Sequence, residues 1–192
     1  WIEDAAEGMR RAEQLCNRTL ASADHRAHPR AHALIASIYN HLGKFDEALN
    51  HAERAIELNP SDSTALYRRG MVFLSGGRID DAIVTMETAK RFEPQPSAGA
   101  GLNLAIAYYL AGRYREALAQ TDTLLARAPH HVTLNATRAA TLAQLGNTDE
   151  ARRAADQVRR FSPGFEAENF GTRFANPGYA AKLQDGLRKG GL

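Results

Sequence analysis

The chain has 192 residues, of which 24 are basic and 22 acidic, so its formal net charge is +2. This even balance gives no case for nucleic-acid binding, which usually shows a basic patch or stripe. No window approaches 18 consecutive apolar residues, so we expect no transmembrane helix and no membrane contact by this chain. The single cysteine, Cys16, cannot form an internal disulfide, and its apolar helical position predicts a buried thiol.

The first predicted element is one helix over residues 4–22, with an apolar stripe at Met9, Ala12, Leu15, Cys16 and Leu20. Aligned on Ala12 with the repeats described below, it resembles the second helix of a preceding, truncated repeat. Asp24 then stands where the repeats have proline. We expect residues 1–28 to cover the open end of the array. Because the chain begins at Trp1 rather than Met, we also expect it to be part of a longer protein.

Several residue classes then recur in one register over residues 29–165. Four glycines are spaced by 34, 35 and 34 residues: Gly43, Gly77, Gly112 and Gly146. Four prolines keep the same spacing: Pro60, Pro94, Pro129 and Pro163. An alanine follows each glycine by five positions: Ala48, Ala82, Ala117 and Ala151. A small residue precedes each glycine by seven: Ala36, Gly70, Ala105 and Ala139. This recurrence predicts four copies of one structural unit.

Each copy is predicted to be a helix–turn–helix. Apolar residues before the glycine recur every three or four positions, which is the helical period. The glycine ends the first helix because it enters the left-handed region at low cost. Acids such as Asp46 and Glu47 then complement the dipole at the start of the second helix, and the proline stops that helix. Since one unit cannot bury its apolar face alone, stacked copies are expected to form a solenoid.

The period and its marks resemble those of tetratricopeptide repeats (TPRs), most closely over Ala36–Pro60. The copies run over residues 29–62, 63–97, 98–131 and 132–165, and the fourth is the most degenerate. The resemblance implies an all-α fold, a solenoid of antiparallel helix pairs coiled into a right-handed superhelix with helical caps at both ends. It is specific for the fold and not for the function.

The last segment, residues 166–192, is predicted to be a cap. Asn176-Pro177-Gly178 is a turn signal, and an i, i+4, i+8 stripe of Tyr179, Leu183 and Leu187 follows it. Because only a short connection separates Pro163 from this helix, we expect it to cap copy four and to leave the central groove open.

The tail also resembles the closing segment of bacterial proteins that join a TPR array to a class III adenylate or guanylate cyclase domain. The residues that carry this resemblance are Asn176-Pro177, Tyr179, Leu183 and 186–192. The resemblance implies a regulatory, carboxy-terminal part of a cytoplasmic signalling protein, whose parent could be linked to a membrane. The alternative is the sensory half of a winged-helix transcriptional regulator. None of the cyclase catalytic residues can be placed here, so no activity is carried over.

Neither a catalytic site nor a metal site is predicted, and no cofactor is expected. The histidines at His25, His28, His32 and His130-His131 lack the four-ligand set of a zinc site, and we expect them on exposed loops and helix ends. The paired acids recur at helix starts, where the dipole accounts for them. The sequence contains no Ser-His-Asp order, P-loop or dinucleotide fingerprint, so we do not expect an enzyme.

In the TPR family, the first helices of successive repeats line a concave groove that takes an extended peptide or a helix. The resemblance places eight residues on this groove: Asn40, Tyr67, Arg68, Met71, Leu102, Asn103, Ile106 and Tyr109. We expect a protein or peptide ligand there, or coverage by the chain's own tail or by a second copy in a homodimer. The carboxylate clamp of chaperone-binding members is not matched, because its places hold Ala33, Ser37, Arg68, Gly99 and Asn103.

Overall fold

The computed structural model describes residues 2–22 and 28–192, with side chains of the first helix from Glu7 onward. This part of the chain is helical and contains no β-strand. Its helices are α1 (Ile2–Leu20), α2 (His28–His41), α3 (Phe45–Leu58), α4 (Ser63–Ser75), α5 (Ile79–Phe92), α6 (Ala98–Leu110), α7 (Tyr114–Leu125), α8 (Val132–Gln144), α9 (Thr148–Phe161) and α10 (Pro177–Lys189). A short 3-10 turn, Ala167–Asn169, precedes α10. The predicted all-α solenoid of helix pairs is confirmed.

The four copies form four helix pairs: α2 with α3, α4 with α5, α6 with α7, and α8 with α9. Each first helix also packs against the first helix of the next copy, and each second helix packs against that same neighbour. The largest cluster of buried side chains extends from α4 to α10. The first helices α2, α4, α6 and α8 therefore stand side by side and form one face, which we call the first-helix face.

The turn inside each pair has the predicted glycine conformation. The φ angles at Gly43, Gly77, Gly112 and Gly146 are 74°, 89°, 76° and 79°. The residue after the glycine closes the turn, as where the Arg78 N–H donates to the Phe73 carbonyl at 2.8 Å. Residues with a side chain are strained in this left-handed backbone conformation. Glycine therefore allows the sharp reversal between the two helices.

Small residues allow the two helices of each pair to approach closely. Ala36, Ala105 and Ala139 have no exposed surface. At Gly70, a Cβ atom would lie 2.5 Å from Met86 Cγ, on the facing helix α5. This distance is shorter than any normal van der Waals contact, so a larger residue at this position would force Met86 to move.

The first helix, α1, differs in part from the predicted truncated repeat. It packs against α2 as each second helix packs against the next first helix. The position equivalent to the start of a second helix is Met9. Because α1 begins at Ile2, it extends further toward the amino terminus than the second helices of the repeats do. Cys16 is buried, as predicted, and burial raises the pKa of its thiol. Asp24, the residue at the predicted proline position, lies outside the described residues.

The tail follows a different path from the predicted one. The Ala175 N–H donates to the Ser75 carbonyl at 2.8 Å, and the Tyr179 hydroxyl donates to the Gly77 carbonyl at 3.2 Å. Both acceptors belong to copy two, so the expectation that the tail does not reach back to copy two is wrong, although α10 itself packs on α8 of copy four, where the tail was expected to dock. The connecting segment between Phe161 and Pro177 is long enough to reach copy two, because it is mostly non-helical and an extended chain spans about 3.3 Å per residue.

Two histidines form a partly buried pair where α1, α2 and α3 meet. His32 Nδ1 lies 2.9 Å from His51 Nδ1, so one of these two nitrogens is protonated and donates a hydrogen bond to the other. The Tyr39 ring meets His51 edge-on, and its hydroxyl donates to Glu13 of α1 at 2.7 Å. The expectation of exposed histidines is therefore wrong for His32. His25 lies outside the described residues.

Gly70 provides a test of the close packing within copy two. Substitution of Gly70 by leucine should lower the free energy of unfolding by about 1–3 kcal/mol, because the added side chain overlaps Met86. Gly99 is the control, since its Cβ would meet no atom within 4 Å and Gly99→Leu should be neutral or stabilising. Urea denaturation of both variants measures this difference, and equal stabilities would show that the two helices are not in close contact at Gly70.

The histidine pair predicts a pH-dependent stability. Burial lowers the pKa of His32 and of His51 from the ordinary value of 6.5; the His51, Arg54 and His28 charges lower the pKa of His32 further, and Glu13 opposes the shift at His51. The unfolded chain therefore binds protons more readily than the folded one. This contribution to stability is present above pH 6.5 and is lost as the pH falls through the lowered folded-state pKa values.

Acidification from pH 7.5 to pH 5.5 should consequently lower the melting temperature. His51→Gln should reduce this dependence, because it removes one imidazole of the pair. His130→Gln is the matched control at an exposed position. Thermal melting followed by circular dichroism measures the effect, and a pH dependence that is identical in wild type and His51→Gln would contradict the assignment.

Candidate partner-binding groove

The structure distributes the eight predicted groove residues between two environments. Tyr67, Ile106 and Tyr109 are only 6%, 7% and 0% exposed. The other five are half-buried: Asn40, Arg68, Met71, Leu102 and Asn103. All eight lie on α2, α4 or α6, whose side-by-side packing forms the first-helix face. These three buried residues are part of the hydrophobic core, although Tyr67 also lines one of the open clefts described below.

Helix α10 covers the first-helix face at copies three and four. It packs against α8 and α6, and its Leu183 and Leu187 have no exposed surface. The Tyr109 hydroxyl donates to the Lys182 carbonyl at 3.2 Å, and the Lys182 ammonium donates to the Leu110 carbonyl at 2.9 Å. Lys182 thus satisfies a carbonyl at the end of α6 that has no partner within the helix. The chain's own tail is therefore the occupant of this part of the face.

Tyr109 is the centre of this contact. Its hydroxyl also accepts a hydrogen bond from Gln144 Nε2 at 3.2 Å, and burial raises its pKa to about 12. Above it lies Gly186, where a Cβ atom would stand 2.9 Å from Tyr109 Cζ. Glycine at this point of α10 lets the helix pass directly over the tyrosine ring. Tyr109 was predicted as a groove residue, but it is inaccessible while α10 is docked.

Two adjacent clefts remain open over copies one to three, and we call them together the open groove. The first, about 730 Å³, is lined by Pro29, Arg30, Ala33, Leu34, Asn59, Ser61, Asp62, Ser63, Thr64 and Arg68. The second, about 410 Å³, is lined by Thr64, Tyr67, Arg68, Met71, Glu93, Ser97, Gly99, Ala100 and Asn103. Thr64 and Arg68 line both clefts, so the groove runs continuously from α2 across α4 to α6.

Many residues of the open groove were not among the predicted site residues. Asp62 and Ser97 are N-caps: the Asp62 carboxylate accepts from the Thr64 N–H at 2.9 Å, and the Ser97 hydroxyl from the Ala100 N–H at 3.3 Å. They reach the groove because the first helices begin at its rim. The predicted site residues were taken only from inward-facing positions within the first helices, so the residues just before those helices were missed. A cap-forming residue type at the start of a predicted first helix is the sequence signal that could have identified Asp62 and Ser97.

Arg68 lies at the junction of the two clefts. One guanidinium nitrogen, Nη1, donates to the Ser37 hydroxyl at 2.5 Å, and Ser37 in turn donates to the Ala33 carbonyl at 3.2 Å. Arg68 forms no ion pair with any described residue. Burial lowers its pKa, because a partly dehydrated guanidinium loses stabilisation by water. The groove therefore contains a half-buried cation with a neutral partner.

Two other predicted residues carry buried polar atoms without a described hydrogen-bond partner. These atoms are the Tyr67 hydroxyl and Asn40 Oδ1. Burial raises the pKa of Tyr67 to about 12, with a smaller contribution from Glu93. Asn40 donates through Nδ2 to the Ser75 hydroxyl at 3.2 Å and so joins α2 to α4. Asn40 thus lies near the point where the tail meets Ser75, at the boundary of the open groove.

The described residues contain no group of three or more His, Cys, Asp or Glu side chains that could hold a metal ion. Nor is any helix in the described ranges long and apolar enough to cross a membrane. The arrangement in the open groove offers hydrogen-bonding groups, two arginines, Arg30 and Arg68, and apolar surface at Met71 and Ala100. These are the features of a surface that binds a polypeptide segment.

The fold is shared with several solved structures. The crystal structure of YrrB, described as a TPR protein with an unusual peptide-binding site, has a TM-score of 0.66 and 21% identity, over 90% of this chain and 89% of that one. TTC0263, a thermophilic TPR protein of Thermus thermophilus, has a TM-score of 0.68 and 20% identity, over 95% of this chain and 94% of that one. MamA has a TM-score of 0.63 and 18% identity, over 81% and 92%. At these identities the likeness concerns the fold alone.

No curated protein sequence matches the chain. The family model of the tetratricopeptide repeat matches residues 41–96 and 102–164, which is more than half of the chain. These ranges contain the four glycine turns and most of the helix pairs that build the open groove. The chain belongs to the tetratricopeptide repeat family.

Proposed function

We propose that this chain is a protein–protein interaction module whose open groove binds an extended segment of a partner protein. The observation that carries the proposal is the division of the first-helix face. A segment of the chain itself, α10, packs on this face against α6 and α8, whereas the two clefts that run from α2 across α4 to the start of α6 are open. A surface that accepts one polypeptide segment by side-chain packing and main-chain hydrogen bonds is suited to accept another.

The size and chemistry of the groove favour an extended segment over a helix. Its two clefts run across the starts of three helices and are lined mostly by short side chains, such as Ala33, Thr64, Gly99 and Ala100. An extended peptide exposes its main-chain N–H and C=O groups, which the Thr64 and Asn103 side chains could pair. The peptide-binding site named for YrrB supports the same class of ligand in a protein of this fold. The proposed role involves no chemical reaction.

A finer proposal concerns the parent protein. We infer a cytoplasmic bacterial signalling protein, such as a nucleotide cyclase, in which this chain is the regulatory part; the alternative is a winged-helix transcriptional regulator. The support is the resemblance of residues 176–192 to the closing segment of cyclase-linked TPR proteins. The packing of the tail accounts for part of that resemblance. Gly186 passes over Tyr109, and a Cβ at Gly190 would lie 2.9 Å from the Ala139 carbonyl. The shared residues therefore also fit the docking of the tail on the array. Domains flanking this chain in its parent would decide between the two.

A display screen with a groove-filling variant tests the proposed function. A random peptide library is panned on the immobilised protein, and enriched peptides are measured by fluorescence anisotropy. Gly99→Phe should abolish binding, because Gly99 lines the open groove and its Cβ has no neighbour within 4 Å. Gly164→Phe is the matched control, an exposed glycine outside the groove with equally free space.

The expected result is a set of peptides that bind wild type and Gly164→Phe with equal affinity and fail to bind Gly99→Phe. Circular dichroism should show that both variants remain folded. A homodimer through the same surface, the second occupant considered for this groove, would appear in light scattering as a dimer that Gly99→Phe dissociates. Absence of any enriched peptide, or binding that Gly99→Phe leaves unchanged, would contradict the proposal.

A further inference from the structure

The charge of Arg68 is not neutralised within the described structure. The two carboxylates that line the clefts beside it, Asp62 and Glu93, are engaged elsewhere. Asp62 accepts from the N–H groups of Thr64 and Ala65, and Glu93 accepts from the Ser63 hydroxyl at 2.8 Å. Neither carboxylate lies within 4 Å of the Arg68 guanidinium, since no such pair occurs.

Three other arginines of the described residues behave differently. Arg78, Arg113 and Arg138 each form an ion pair with a carboxylate, at 2.7, 2.9 and 2.6 Å. The first two are largely exposed, where water already stabilises the charge. Arg68 is half-buried and lacks a carboxylate, although a dehydrated cation gains more from an anion than an exposed one does. The missing anion must therefore come from outside this part of the chain if the charge is to be paired.

Ser37 holds the Arg68 guanidinium in position and leaves most of its N–H donors free for a ligand. Only Nη1 of Arg68 has a described hydrogen-bond partner, and Ser37 is itself fixed by its bond to the Ala33 carbonyl. A guanidinium carries five N–H donors in a planar fork, so the remaining donors of Arg68 can hold both oxygens of one carboxylate. An Arg fixed in this way loses less side-chain entropy on binding.

We propose that the open groove selects partner segments with an acidic side chain, Asp or Glu, in the middle of the bound stretch, and that Arg68 binds its carboxylate. This inference rests on the proposed function. The position of Arg68 specifies an internal residue: clefts of about 730 and 410 Å³ continue on its two sides. A segment that fills both clefts crosses Arg68 with its middle and not with its carboxyl terminus.

A terminal carboxylate fits the same residues poorly. In chaperone-binding TPR domains, several cationic and amide side chains together hold a chain terminus. The corresponding positions here hold Ala33, Ser37, Arg68, Gly99 and Asn103, of which only Arg68 is a cation. Arg68 provides one bidentate contact between the two clefts, and the other arginine of the lining, Arg30, is exposed and lines the first cleft alone. The Arg68 contact therefore specifies the charge of one residue in the partner, and the apolar and hydrogen-bonding walls bind the flanking residues.

Peptide libraries with blocked ends test this inference. Three libraries of nonapeptides, acetylated and amidated, have random flanks and a central residue fixed as Glu, Gln or Lys. Each is equilibrated with the purified chain, and bound peptide is quantified by mass spectrometry. The Glu library should be retained about tenfold or more above the Gln library, the scale of a charge-assisted hydrogen bond, and the Lys library should be retained least.

Substitution of Arg68 should remove the preference. On Arg68→Gln, the Glu and Gln libraries should bind equally, whereas the exposed control Arg91→Gln should keep the wild-type preference. Arg68→Lys should keep part of it, because lysine retains the charge and loses the bidentate geometry. Raised salt should weaken the Glu library more than the Gln library. Melting curves establish that each variant is folded.

The outcomes separate this inference from the proposed function. If Gly99→Phe blocks peptide binding but the Glu and Gln libraries bind wild type equally, the acidic preference is wrong and the groove function stands. A fourth library, with a free carboxyl terminus and a central Gln, tests whether Arg68 binds a terminal carboxylate. If this library is retained more strongly than the Glu library and Arg68→Gln removes the difference, the assignment of Arg68 to an internal acidic residue is wrong. If no library binds, both the groove function and the acidic preference fail.

Discussion

The structure depends on the close contact between the two helices of each copy. Small residues at this contact, Ala36, Gly70, Ala105 and Ala139, bring each first helix against its second helix and fix the angle at which the pair stacks on the next one. Because every pair has the same geometry, the first helices align into one face. The groove is thus a consequence of repeated packing.

The tail divides this face into two parts. Docking of α10 buries Leu183 and Leu187 against α6 and α8 and places Gly186 over Tyr109. An apolar surface of this kind, left exposed, would favour association with other molecules. The tail therefore completes the core at copies three and four, and the two open clefts remain at copies one to three. Arg68, a half-buried cation without an ion pair among the described residues, lies where the two clefts of that remaining part meet.

The repeat register could be predicted from sequence because each mark has a local physical cause. A glycine with φ near 80°, an acid in a first turn and a proline after a helix each act within a few residues. The path of the tail could not be predicted in this way. It depends on the hydrogen bond of Tyr179 with Gly77, across about a hundred residues of sequence. The burial of Tyr109 and the isolation of Arg68 follow from that path and from the three-dimensional packing of α2, α4 and α6.

The division of the first-helix face is tested most directly by nuclear Overhauser effects from the tail in solution. The Tyr179 hydroxyl donates to the Gly77 carbonyl, and a Cβ at Gly77 would lie 3.5 Å from the Tyr179 ring. We expect cross-peaks between the Tyr179 ring protons and the Gly77 α-protons, together with cross-peaks between Gly186 and the Tyr109 ring. If Tyr179 shows cross-peaks only to α8 and α9, the tail caps copy four alone, and the division of the groove described here is wrong.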